Sequence, residues 1–143
     1  MREIEFRAKH NDTGEWYFGC LLEGEDNIFI RDKVRDEEHG YLTHPVIPET
    51  VGQLWATINN NKYFEGDIFS VGLFTNVTYV IIYNDIKKCV SFIKISEYKK
   101  LKRGDELSRL NILYNLGSAK FELMQKYNPT LLGNIFDNPD LLK

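Results

Sequence analysis

Long apolar runs and cysteines are both scarce in this chain, and each scarcity removes a class of protein. The longest apolar run, Val77 to Tyr83, falls far short of the ~20 residues that a membrane-spanning helix needs. Two cysteines, Cys20 and Cys89, set far apart in apolar or alternating runs, do not make a disulfide framework. Reduced core thiols are expected, with a single disulfide as the alternative. The opening Met1-Arg2-Glu3-Ile4-Glu5 has no apolar h-region, so a cytoplasmic location is expected. Excess positive charge is missing too. The formal net charge of -3 gives the whole chain no pull on nucleic acid or an anionic membrane. The sequence has no Gly-x-Ser-x-Gly, P-loop, Rossmann glycine pattern or His-Glu-x-x-His, so it nominates no enzyme of those classes.

Aromatic residues, by contrast, are plentiful: 9 Phe and 8 Tyr in 143 residues favour half-buried pleated surfaces. The most informative stretch is Tyr63-Phe64-Glu65-Gly66-Asp67-Ile68-Phe69. Gly66 can take positive φ without steric cost, and Asp67 can bond nearby backbone amides, so the chain reverses there and enters a strand. Beyond it, Ile68 to Phe74, Val77 to Tyr83 and Cys89 to Ile95 are apolar, β-branched runs separated by Thr75-Asn76 and Asn84 to Lys88. They predict a three-stranded meander.

Upstream, Ile4, Phe6 and Ala8 alternate with Glu3, Glu5, Arg7 and Lys9, which predicts a strand with one wet face. The turn cluster His10 to Gly14 and the apolar run Trp16 to Leu22 complete an N-terminal hairpin, and Ile28 to Ile30 follows a second turn. Arg31 to Gly40 reads as a mobile charged loop. Pro45 and Pro48 bracket an extended, edge-like segment. Asn59-Asn60-Asn61 reads as a turn. In the C-terminal third, Leu107, Leu110, Leu113 and Tyr114 fit a helical stripe, while Leu110, Ile112, Tyr114 and Leu116 fit a strand. At least one helix is expected between Glu106 and Lys126. Leu131 to Phe136 reads as a strand, with Asn138 as an N-cap and Pro139 at the first position of a final turn.

Three segments, in order, carry a family resemblance: Arg2 to Ala8, Val46-Ile47-Pro48-Glu49-Thr50-Val51-Gly52-Gln53 through Phe64-Glu65-Gly66-Asp67-Ile68, and Leu132-Gly133-Asn134-Ile135-Phe136-Asp137-Asn138-Pro139-Asp140-Leu141-Leu142. The chain resembles the YopX-like proteins of bacterial phages and prophages. It departs from them at Trp55-Ala56 and Asn59-Asn60-Asn61, where the family shows a Thr-Gly pair and an Asp/Asn-Gly turn. The resemblance implies a β-rich fold with a small barrel-like core and a phage-associated role, and it transfers no catalytic residue.

The candidate sites are few. Glu65 and Asp67 flank one glycine; acid-base chemistry on a small metabolite is one reading, and service to the turn is the other. His39 and His44, with Asp36, Glu37 and Glu38 upstream, fall short of the three or four ligands of a zinc site, so no metal and no cofactor is expected. Lys87, Lys88, Lys94, Lys99, Lys100, Lys102 and Arg103 form a basic strand-plus-loop stretch with Phe92 and Tyr98 among them. Such a stretch suits nucleic acid, with Lys99, Lys100, Lys102 and Arg103 as the contacts, but a solvated strand edge is the favoured reading, given the acidic total charge. Trp16 is expected in the core. Trp55, with Gln53 and Glu65, is the candidate partner-facing group.

The expectation is therefore a mainly β (β-rich α+β) single domain over residues 1–143, with a small SH3-like or barrel-like core. It has an N-terminal hairpin region to about residue 45, a meander to about 96 and a mixed C-terminal region with a minor helical element. A non-enzymatic binding module is expected, as a homo-oligomer with a host or phage protein partner. Nucleic-acid binding is the alternative.

Overall fold

The computed structural model describes residues 3–72 and 75–143, with Phe121 and Leu123 described by their backbone alone. Arg2 of the first resembling segment and residues 73 and 74 of the expected Ile68 to Phe74 strand lie outside the described residues. The protein is mainly β, with antiparallel sheets and three helices in the C-terminal part. It divides into two compact units, Met1–Leu54 and Trp55–Lys143.

In the first unit, β1 (Phe6–Lys9) and β2 (Trp16–Glu23) form the expected hairpin, and β3 (Ile28–Arg31) and the edge strand β4 (Thr43–Pro45) extend it in order. The other edge of β1 pairs with the start of β5 (Gly52–Ile58), Phe6 opposite Gln53 and Arg7 opposite Gly52. Gly19 in β2 is required by close approach, because a Cβ there would collide with the Arg31 carbonyl. Ala8, Ile30 and Val46 form the core of this unit, joined by Phe6, Tyr17 and Leu21. Pro48 opens a single 3-10 turn, Pro48–Thr50. The Thr50 hydroxyl there accepts the Lys9 amide at 2.9 Å and donates to the Ile47 carbonyl at 2.7 Å.

The wet face expected for β1 is not wet. Glu5 and Arg7 are buried, at 6% and 7% exposure, whereas Ile4 is 65% exposed. Strands flank β1 on both edges, and Gly52 opposite Arg7 has no side chain to compete for space. The Arg7 guanidinium lies 4.7 Å from the centre of the Trp16 ring, and the Lys9 ammonium lies 5.4 Å from it. Stacking on an aromatic face lets a cation leave water at low cost.

In the second unit β5 turns through Asn59 and Asn60, both at positive φ, into β6 (Asn61–Phe64). Two left-handed residues make the turn whose twist matches a hairpin, and Asn tolerates that region best after Gly. The meander follows as β7 (Asp67–Val71), β8 (Val77–Asn84) and β9 (Cys89–Lys94), and β10 (Thr130–Asn134) adds to the far edge of β7. The apolar runs of these strands lack alternation because both sheet faces are covered. On one face Phe69, Ile81 and Phe92 pack with Ile58, Tyr63 and Met124. On the other Ile68, Val80 and Ile93 pack with Tyr98, Ile112 and Leu116.

Helix α1 (Ile95–Arg103) replaces the loop expected after the meander, and Ile95 opens it instead of ending β9. Ile95, Tyr98 and Leu101, at i, i+3 and i+6, turn one face onto the sheet, and no Gly or Pro interrupts before Gly104. Helix α2 (Glu106–Asn115) starts at Asp105, whose carboxylate accepts the Ser108 amide at 2.8 Å. That bond, with one to the Ser108 side chain, holds the Asp105 carboxyl below its usual pKa. Helix α3 (Phe121–Tyr127) ends at Asn128 in the left-handed region. These helices satisfy the expectation of at least one between Glu106 and Lys126.

At the end of the chain, β10 stops at Asn134, two residues before the expected limit at Phe136. Asn138 occupies the N-cap position of the final 3-10 turn (Pro139–Leu142) but makes no side-chain cap bond. Its Oδ1 accepts the Asn134 amide at 3.1 Å instead, just after the bulge between Leu131 and Gly133.

Candidate functional site

Helix α1 gathers the densest exposed positive charge. Lys100, Lys102 and Arg103 are exposed and Lys99 is half-buried. Placing cations in the last helical turn also complements the negative end of the macrodipole, which helps α1 to form where these residues are. The Lys100 ammonium lies 3.2 Å from the Glu97 carboxylate, and the Arg103 Nε donates to the Lys99 carbonyl at 3.4 Å. The Lys102 ammonium lies 5.5 Å from the centre of the Tyr98 ring. A groove of ≈ 420 Å³ runs along this helix, floored by Tyr98 and Leu142 and rimmed by Lys99, Lys102, Arg103 and Lys143. A second groove, ≈ 620 Å³, opens on the α2 side between Lys100, Arg103, Ser108 and Asn111. Arg103 stands in both.

Charge is divided unequally along the chain. Met1–Leu54 holds 12 Asp and Glu against 6 Lys and Arg, a formal -6, while Trp55–Lys143 holds 9 against 12, a formal +3. The total of -3 conceals a basic unit, three of whose exposed cations, Lys100, Lys102 and Arg103, stand together on α1. Screening confines the field of each charge to about 10 Å at ordinary ionic strength, so the local sign governs what approaches α1.

The aromatic residues in the basic stretch do not accompany these cations outward. Tyr98 is buried and Phe92 is packed into the sheet, edge-on to Trp55 and Phe69 at 5.0 Å each. Burial raises the Tyr98 hydroxyl above its ordinary pKa. The upstream lysines are dispersed: Lys87 donates to the Leu116 carbonyl at 2.6 Å, Lys88 lies in the β8–β9 turn, and Lys94 precedes α1.

At the Glu65-Gly66-Asp67 corner, Gly66 has φ 93° and Asp67 is 2% exposed. The Asp67 Oδ2 accepts the Phe64 amide at 2.7 Å, so the carboxylate serves its own turn. Glu65 is half-buried. Gln53 lies in the part of β5 that belongs to the first unit. Trp55, expected to face a partner, is instead half-buried within β5 and packs against the core of the second unit. The core role expected for Trp16 falls to Trp55, and Trp16 is the half-buried ring that carries two cations.

His39 of the charged loop and His44 of β4 face different carboxylates. His39 lies 3.5 Å from Asp36 on the surface, and His44 Nε2 lies 3.0 Å from the Asp32 Oδ1. His44 also stacks on Tyr17, centroids 3.9 Å apart. No cluster of three or more metal-ligating side chains occurs among the described residues. Both cysteines are free thiols, and Cys20 is exposed instead of lying in the core.

Sequence reasoning missed α1, although the Ile95, Tyr98 and Leu101 spacing was available to find it. Among the described residues no helix is long and apolar enough to cross a membrane. No model of a known protein family matches the chain, and no curated protein matches it.

Proposed function

We propose that the protein is a non-enzymatic binding module of the YopX-like phage and prophage type, acting in the cytoplasm of the bacterial host cell, and that α1 grips the phosphate backbone of nucleic acid. The observation that carries this reading is the run Lys99, Lys100, Lys102 and Arg103, half-buried at Lys99 and exposed at the other three, on one helix of a unit with formal charge +3. The resemblance in the three segments quoted above supports the phage association. With Tyr98 and Phe92 packed inward, recognition rests on phosphate contacts and not on base stacking, so binding is indifferent to base sequence.

Fluorescence anisotropy with labelled single-stranded and duplex DNA and RNA tests the reading. Affinity should fall steeply between about 50 and 200 mM salt, with a log-log slope of about -3 for three to four phosphate contacts. The combined change Lys99→Glu, Lys100→Glu and Lys102→Glu should weaken binding at least about tenfold at low salt and flatten that slope. Flat titrations with all four nucleic acids at low salt would overturn the proposal.

A further inference from the structure

Helix α2 has two apolar faces, and the sheet covers one of them. Ile112, Leu113 and Leu116 point inward: Leu113 is 2% exposed, and Ile112 and Leu116 join the core beneath α1. Leu107, Leu110 and Tyr114, at i, i+3 and i+7, run along the opposite side. Leu107 is 78% and Tyr114 69% exposed. Such a stripe presents on the order of 300–400 Å² to water, within the range of functional patches on monomers.

The ends of the stripe differ in charge. Asp105 and Glu106 stand at its N-terminal end. At its C-terminal end, the Lys87 ammonium caps the Leu116 carbonyl and lies 6.0 Å from the Tyr114 ring. A second copy of the same helix laid antiparallel brings the acids of each copy against the lysine of the other, and it opposes the two macrodipoles favourably. Leu107 of one copy then meets Tyr114 of the other, with Leu110 and Asn111 at the midpoint.

We propose that this stripe is a homodimer interface in which two copies of α2 pack antiparallel about a two-fold axis beside Asn111. A two-fold interface uses one patch twice, which requires the self-complementarity just described. The patch is smaller than the ~800 Å² per partner of a standard stable interface, so the dimer forms in a concentration-dependent way in the micromolar range.

Sedimentation or light scattering over a dilution series should show the mass rising from 16.8 kDa towards twice that value. Leu107→Glu, and separately Tyr114→Lys, should hold the protein at the monomer mass at concentrations where the unaltered chain is dimeric, with an unchanged circular dichroism spectrum. Asn111→Cys, in a background with Cys20→Ser and Cys89→Ser, should form a disulfide-linked dimer under mild oxidation. A monomer at every concentration, a dimer indifferent to both charged variants, or no cross-link through position 111 would each overturn the α2 pairing. Failure of the α2 pairing is read apart from the nucleic-acid reading, since Leu107→Glu and Tyr114→Lys remove no cation of α1 and the titrations with Lys99, Lys100 and Lys102 changed test α1 alone.

Discussion

The carboxylate of Asp67 holds the amide of Phe64, three residues earlier in the chain, at 2.7 Å across the left-handed Gly66. This one bond closes the corner from which the meander starts, and it does so out of water. Asp67→Ala would leave a buried amide without its acceptor and should cost about 2–3 kcal/mol in urea unfolding. Gly66→Ala should cost a further 1–2 kcal/mol, roughly, from forcing a Cβ into the left-handed region.

Asn84 plays the corresponding role at the far end of β8. Its Nδ2 donates to the Leu113 carbonyl at 2.7 Å, and its Oδ1 accepts the Ile86 and Lys87 amides at 3.2 Å each. It is fully buried, so one side chain fixes both the β8–β9 turn and the seat of α2. Asn84→Ala should destabilise by about 2–3 kcal/mol. Asn84→Asp should also destabilise, because it removes the donor to Leu113 while keeping the acceptor for the turn.

Tyr63 and Tyr98 make stability depend on alkaline pH. Burial, then the neighbouring Asp67 charge, raises the Tyr63 hydroxyl above its ordinary value of 10.0, and burial raises Tyr98. The unfolded chain therefore releases these protons at lower pH than the folded protein does. Their contribution is complete below pH 10.0 and is lost as pH rises through the folded-state values. Unfolding midpoints measured above pH 10.0 should decline. Tyr63→Phe and Tyr98→Phe should each make that decline shallower.

The tryptophans should respond unequally to truncation. Trp55→Ala removes a ring packed against Phe92 and the Ile58 cluster, and about 3 kcal/mol of stability should go with it. Trp16→Ala removes a cation-stacked ring outside the core clusters, and the loss should be nearer 1 kcal/mol, roughly. Equal losses in denaturant titrations would contradict the exchange of roles between the two residues.

The β-rich class, the N-terminal hairpin, the three-strand meander and the Gly66-Asp67 corner were legible from the residues alone. Each depends on chemistry that acts within a few positions: a glycine free to take positive φ, an acid able to bond the adjacent amides, asparagines in a two-residue turn, β-branched residues between turn signals. The chain carries those instructions wherever it folds. The burial of Glu5 and Arg7, the core packing of Trp55 and the outward stripe of α2 have another origin. They depend on which element covers which face, and those elements lie far away in sequence: β5 beside β1, Phe92 beneath Trp55, the β7–β9 sheet under only one side of α2. Periodicity shows that a segment has an apolar face; packing alone decides whether that face meets protein or water.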